Sequence, residues 1–449
     1  MSTPNDMSPF GCDFGEFVRR AHAQGRLVVQ PRMGFGDPAL MREGLTAVAR
    51  LPAATAGTIT LDSYTRVGDY RSIEAALANG ERLNGYPIVS LHPEVTLGVT
   101  LGLAGADFQI QVRHGSPDPL DIVRAMSRVE LYATEGGPLS YCLPYGRLPV
   151  RRAVDNWRRC CEELAALRRP GAEPHLETFG GCLLGQLCPP SLLVAVSVLE
   201  ALFFRQHGLR SVSLSYAQQT NHQQDLQALA ALRTLARRHL SDVDWHVVLY
   251  TYMGLFPATR SGAMRLAEQS VRLAAQGGVE RLIVKTAAEA HRIPTIADNT
   301  QALRAAADWF DEAGRFADGP GPMGGGDHSD GGGEGGGDGS DNEVLHEACA
   351  LIEAVLELSD DVGHALVEAM RGGLLDVPYC LHPDNAGNSR SFIDARGRLA
   401  WSRAGAMPVR PQPDHDSPMS STQLLAALSY VADRSVAASP YSTASCREG

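Results

Sequence analysis

From about residue 26 to 316, short apolar runs alternate with segments whose apolar residues recur at helical spacing. The runs end in Gln30-Pro31-Arg32, Ser63-Tyr64-Thr65-Arg66, Ile88-Val89-Ser90, Gln111-Val112-Arg113, Ala133-Thr134-Glu135, Phe179-Gly180-Gly181, Leu214-Ser215-Tyr216, Tyr250-Thr251-Tyr252 and Val284-Lys285. Helical patterns lie between them, at 38–50, 153–168, 191–206, 223–239 and 262–276. Repeated strand–helix alternation predicts a parallel sheet. The regular count favours a closed (β/α)8 barrel of the TIM type over an open doubly wound sheet, with nine strand candidates for eight places.

The pattern stops at 318–341, where twelve of 24 residues are glycine and six are acidic. Such a segment cannot bury enough apolar surface to order itself, so it reads as a flexible linker. His328 and the Asp residues around it hint at a metal site; a solvated loop is the plainer reading. The chain thus divides into an N-terminal segment at 1–25, a barrel at 26–317, the linker, a smaller and mostly helical C-terminal α+β domain at 342–437, and a Ser-rich disordered tail at 438–449. Helices over about 343–371 and a hairpin-like stretch at 391–401 are expected in the C-terminal domain.

Charge and cysteine usage narrow the class. A formal charge of −11 and a pI near 5.7 argue against a general nucleic-acid binder. The nine cysteines show no framework and no C-x-x-C, which fits free thiols in a reducing compartment. The apolar stretch 192–204 contains Glu200 and is too short to span a membrane, so it reads as a core helix. The first residues, Met1 to Asp13, are polar and lack a signal-peptide core. A cytoplasmic location is expected.

Several strand candidates finish on a charged side chain: Arg32, Arg66, Arg113, Glu135 and Lys285. Catalytic groups of parallel barrels stand at this end of the strands, although such residues can also merely solvate the rim. Three guanidiniums at one mouth suit a small dicarboxylate or a phosphorylated ligand, because arginine binds carboxylates through paired donors. With Glu135 facing an ammonium group, the set matches an amino dicarboxylate. Tyr141 and Tyr145 are either donors to that ligand or core aromatics. Lys285 is the single lysine of the chain. A position that keeps lysine where arginine has taken every other cationic place calls for a compact, flexible donor.

These residues lie in strings that resemble the large (epsilon) subunit of glutamate mutase, also called methylaspartate mutase. The strings are Val29-Gln30-Pro31-Arg32-Met33-Gly34, the run 58–66, Leu83-Asn84-Gly85-Tyr86-Pro87, the run 111–117, Thr134–Tyr145, Phe179-Gly180-Gly181, Tyr252-Met253-Gly254 and Ile283-Val284-Lys285-Thr286. The resemblance covers roughly residues 15–410, in order. It implies a (β/α)8 barrel that works with a small cobalamin-binding (sigma) subunit. Two copies of each chain would assemble, with this one as a homodimer. The reaction implied is the adenosylcobalamin-dependent radical isomerisation of L-glutamate to L-threo-3-methylaspartate. Arg32, Arg66 and Arg113 would hold the substrate carboxylates, and Glu135 the ammonium, with Tyr141 and Tyr145 beside it. Arg66, Arg113, Glu135 and Lys285 would be the catalytic set. Lys285 and Glu289 would meet the adenosyl ribose, with Gly34, Asn84, Pro144, Phe179 and Met253 at the cofactor. No residue here is expected to bind the metal. The Asp-x-His-x-x-Gly segment that ligates cobalt is absent, and in this family the small subunit carries it.

Two other readings compete. The same barrel and arginines would serve a cobalamin-independent lyase or aldolase on a dicarboxylate, with Lys285 forming a Schiff base. A non-catalytic partner of a cobalamin protein is the third, and the full charged set argues against it.

Overall fold

Eight parallel strands run around a barrel in the computed structural model, which describes residues 12–144, 146–182, 187–317, 342–412 and 419–437. They are β1 (Val28–Pro31), β2 (Gly57–Thr60), β3 (Ile110–Arg113), β4 (Ala133–Gly136), β5 (His175–Thr178), β6 (Ser211–Ala217), β7 (Asp244–Tyr250) and β8 (Arg281–Val284). From β2 to β8 each strand pairs in parallel with the next, and β8 returns to β1. The remaining seam, β1 to β2, is narrow. It holds one bridge, Val29–Thr55, with Val29 N donating to Ala54 O at 2.9 Å and Thr60 N to Met33 O at 2.9 Å. The expected TIM-type barrel with a helical C-terminal part is therefore present.

Three strand readings need correction. The surplus candidate is 88–90. Tyr86 makes a single bridge to Leu61, and the chain then turns, with Ser90 N donating to Pro87 O at 3.1 Å. Ile88 is apolar because it is buried, not because it is paired in a sheet. The run ending in Arg66 is also not a strand end. β2 stops at Thr60, and Ser63–Val67 is a short helix. Asp62 caps it by accepting from Tyr64 N and Thr65 N at 2.9 Å each, which satisfies orphan donors of the first turn. Similarly, β5 stops at Thr178, and Gly180–Cys182 forms a 3-10 turn.

Residues two apart on a strand face the same way. On β1, β3, β5, β6 and β8 the inward set includes Gln30, Gln111, Glu177, Ser213 and Arg281, and these bond across the barrel. Gln30 Nε2 donates to Gln111 Oε1 at 2.8 Å, Arg281 Nη1 to Gln30 Oε1 at 2.6 Å, and Gln111 Nε2 to Glu177 Oε2 at 3.0 Å. Arg281 and Glu177 form an ion pair with both side chains fully buried. The interior is thus a polar network rather than layers of branched apolar residues. Removing one member of such a pair costs about 3–5 kcal/mol, because the other charge stays buried.

The helix Phe14–Ala23 closes the N-terminal end of the barrel. Phe14 stacks on His175 at 5.1 Å and lies under the Arg281 guanidinium at 4.9 Å. At the outside, Pro190–Gln206 is buried from Pro190 to Phe204, so the core-helix reading of this stretch holds. It is covered by the helix Glu343–Leu356, where Glu347 accepts from Ser191 Oγ at 2.6 Å and from Trp401 Nε1 at 3.2 Å. The helix Val362–Gly372 and the antiparallel pair β9 (Arg390–Ile393) and β10 (Leu399–Arg403) complete this part. The helix Ser421–Ala437 lies along Arg260–Gln276, with Arg265 Nε donating to Ser435 O at 2.9 Å. No helix among the described residues is long and apolar enough to cross a membrane. The segments read as linker (318–341) and tail (438–449) lie outside the described residues.

Candidate active site

Arg113 ends β3 and Glu135 lies on the neighbouring β4, both facing inward and both buried. Arg113 Nε donates to Glu135 Oε2 at 2.6 Å. Tyr141 donates its hydroxyl to the other oxygen, Oε1. Tyr250, at the end of β7, sits opposite. Its hydroxyl is 2.9 Å from Glu135 Oε2, contacts Glu177 Oε1, and accepts from Arg113 Nη2 at 3.3 Å. Burial pushes the Tyr250 phenol well up, so it keeps its proton. Phe179 is buried between the two tyrosines, 4.9 Å from the Tyr141 ring and 5.6 Å from that of Tyr250. Both oxygens of Glu135 are thus held by fixed donors.

The turn that carries Tyr141 is gripped from outside the barrel. Glu200, fully buried on Pro190–Gln206, accepts from Leu139 N at 3.1 Å, Ser140 N at 2.9 Å and Ser140 Oγ at 2.9 Å. The approach is close enough that a Cβ on Gly137 would stand 2.1 Å from this carboxyl, so only glycine fits there. The Gly-Gly after Glu135 therefore has a structural cause. Burial outweighs these donors and pushes the Glu200 carboxyl up to about 7.

Arg66, half-buried, packs on Gly115, 3.5 Å from where a Cβ would be. Its helix is tied down by Asn84, whose Oδ1 accepts from Ser63 N at 3.0 Å. Next to Arg113 in the chain, and under the charge of Arg66 as well, is His114, which the sequence reading did not single out. Its Nδ1 accepts from Ser116 N at 2.9 Å, which assigns the ring proton to Nε2. Burial, helped by Arg66 and Arg113, pushes this imidazole down to about 3, so it is neutral. Nε2 is buried without a hydrogen-bond partner among the described residues.

Arg32 belongs to a second group. Its Nη1 donates to Glu289 Oε2 at 3.0 Å, and the same oxygen is 3.9 Å from Lys285 Nζ. Lys285 directly follows β8, donates to Tyr252 O at 3.3 Å and lies 4.5 Å over the Phe256 ring. Glu289, in the turn Ala287–Ala290, also accepts from Thr286 N at 3.2 Å. Burial pushes the Lys285 ammonium down to about 8, against the pull of Glu289. Being the single side-chain amine, Lys285 alone sets the internal yield of an amine-specific reagent. Competitive labelling across pH should give a midpoint near 8 rather than 10.5; a midpoint at 10.5 would contradict the buried ammonium.

Gly34 follows β1 and lies against the Thr60 carbonyl, where a Cβ would stand 2.2 Å away. Pro144 and Met253 are half-buried on the loops after β4 and β7. Tyr145 lies outside the described residues. The sequence reading missed Tyr250, Glu177 and Arg281. The available signal was a polar residue at alternate places of an apolar strand, as in His175-Leu176-Glu177.

Comparison with known proteins bears directly on this arrangement. The family described as "Methylaspartate mutase E chain (MutE)" matches residues 9–314 and 338–417. A protein of Escherichia coli O157:H7 named "Glutamate mutase epsilon subunit" is 28% identical over 415 residues, 88% of this chain and 81% of its own. Proteins with the same name from Haloarcula marismortui and Halobacterium salinarum are 31% and 30% identical. The first match covers 71% of this chain and 64% of that protein, the second 78% and 71%. With a barrel of the expected kind and a family match over most of its length, the chain belongs to the methylaspartate mutase E chain family and is an isomerase of the mutase type.

Proposed function

We propose that this chain is the catalytic, substrate-binding subunit of a glutamate mutase that interconverts L-glutamate and L-threo-3-methylaspartate with adenosylcobalamin. The observation that carries the reading is the buried Arg113–Glu135 pair at 2.6 Å. A zwitterionic amino acid exchanges with it: one carboxylate takes the place of Glu135 on Arg113, and the ammonium takes the place of Arg113 on Glu135. Each buried charge keeps an opposite partner throughout, which limits the desolvation cost of entry. Arg66 and the proton of His114 Nε2 offer further donors beside Arg113, suited to a carboxylate. Tyr141 holds Glu135 in place during the exchange.

The second group suits the coenzyme. Three ammonium protons of Lys285 face one carbonyl and one carboxylate, so donor capacity is left for ribose hydroxyls, and Glu289 can accept from them. Arg32, paired with Glu289, fixes that carboxylate. Val67, Leu255 and Ile293, exposed on the segments that follow β2, β7 and β8, give the mouth an apolar rim that suits a flat corrin. The coenzyme, when bound, supplies the radical chemistry. The chain supplies charge, orientation and a filled barrel that excludes water. The lower cobalt ligand would come from a small cobalamin-binding subunit, with two copies of each chain in the cytoplasmic enzyme. The division into barrel (26–317), linker (318–341) and C-terminal domain (342–437) is part of this proposal.

The test is reconstitution. The chain, a small cobalamin-binding subunit and adenosylcobalamin should convert L-glutamate to methylaspartate; absence of product and of any cobalt(II) or organic radical signal overturns the reading. A second reading is favoured by one observation. An amine shifted to about 8 is a usable nucleophile, as a Schiff-base lyase or aldolase needs. Borohydride trapping of a dicarboxylate on Lys285 without cobalamin would support that chemistry instead.

A further inference from the structure

Behind Glu135 lies a second buried carboxylate, Glu177, and the hydroxyl of Tyr250 is in hydrogen-bond contact with both. A phenol has one proton. With both carboxylates ionised, Tyr250 can donate to only one of them, and the other contact holds two oxygens with no proton between. The frame therefore has a built place for one additional proton. We propose that Tyr250 and Glu177 form a proton reserve for Glu135: a proton that Glu135 takes from the substrate ammonium passes through the Tyr250 hydroxyl to Glu177. This rests on the reading of Glu135 as the partner of the substrate ammonium.

The step balances. The ammonium N–H bond breaks as an O–H bond forms on Glu135. Glu135 then gives its proton to the Tyr250 oxygen while Tyr250 gives its own to Glu177 Oε1. The substrate is left as an amine, Glu135 is again a carboxylate, and Glu177 is a neutral acid. The reverse sequence restores the ammonium, and nothing is oxidised or reduced.

Neutralising Glu177 removes the charge opposite Arg281 but leaves its hydrogen bonds made. That guanidinium also donates to Gln30 Oε1 at 2.6 Å, Ser213 Oγ at 3.0 Å and His246 Nε2 at 3.2 Å, and it faces the Phe14 ring. Glu177 in turn keeps a donor from Gln111 at 3.0 Å. The hydroxyl is fixed as well: the Arg113 guanidinium lies 5.1 Å over the Tyr250 ring, and Phe179 abuts its edge. A bridge held this tightly keeps both oxygens at transfer distance.

The experiment uses the assembled enzyme with its small subunit, adenosylcobalamin and L-glutamate. Tyr250→Phe keeps the ring and removes the relay; Glu177→Gln keeps the shape and removes the terminal acceptor. Each should lower kcat about tenfold or more with KM within about threefold. The double variant should lose no more than the worse single, because both cut one chain of transfer. Unchanged kcat in either, a rise in KM alone, or losses that multiply overturns the proposal. If Glu177→Gln does not fold, Tyr250→Phe decides by the same split of kcat and KM. Failure of the unaltered complex to turn over L-glutamate would instead refute the reading of the site itself.

Discussion

Replacing Arg113 by lysine should lower kcat/KM for L-glutamate about 100-fold or more in the reconstituted enzyme. Arg113 uses Nε toward Glu135 and Nη2 toward Tyr250, so its fork spans two partners at fixed angles. An ammonium is a single point of charge and cannot hold both while gripping a carboxylate. The pair is buried, and a mispaired buried charge costs about 3–5 kcal/mol, which is at least roughly 100-fold in rate. Arg66→Lys should cost less, about tenfold, because Arg66 is half-buried and has water to fall back on. Steady-state kinetics of both variants check this. If both behave as the unaltered enzyme, the carboxylate grip is wrong.

The second large effect concerns Glu200. Glu200→Ala should destabilise the chain by about 3 kcal/mol or more, since it leaves Leu139 N, Ser140 N and Ser140 Oγ buried without an acceptor. Turnover should fall too, because the freed turn carries Tyr141. Glu200→Gln should instead change the pH dependence. The folded carboxyl titrates at about 7, above its ordinary 4.5. Between those values the folded chain holds a proton that the unfolded chain has released. Stability therefore falls as pH rises from about 4.5 to 7, by about 1.4 kcal/mol per unit for this one group. Glutamine has no such proton. Urea melts at pH 5 and 7.5 should show the unaltered chain losing more stability than Glu200→Gln by about 2 kcal/mol. Equal losses would remove Glu200 as a raised acid.

How far the site was legible depends on the residue. Arg113 and Glu135 could be placed because each ends an apolar run, and parallel barrels put such ends at one mouth. Arg66 was misplaced although the warning was present: Asp62 followed by Ser-Tyr-Thr is a helix cap, not a strand. The run at 88–90 could not be separated from a strand, because a buried turn and a short strand call for the same apolar residues. Arg32 was grouped with the other arginines by charge alone. Its ion pair with Glu289 joins β1 to the turn after β8, a pairing that forms only when the barrel closes.

The sequence by itself determined the local choices. Alternating periods of apolar residues set strands against helices, the buried helix at 190–206 needed no partner to be recognised, and the charged strand ends located one face of the barrel. Only the tertiary structure decided which charges meet. Arg281 and Glu177 come from β8 and β5, and Tyr250 and Glu135 from β7 and β4, so their contacts exist only across a closed barrel. Closure brings groups far apart in the chain within hydrogen-bond reach and removes water from between them. That exclusion turns separate polar residues into a coupled set, because in a dry interior each charge must find its partner in the protein.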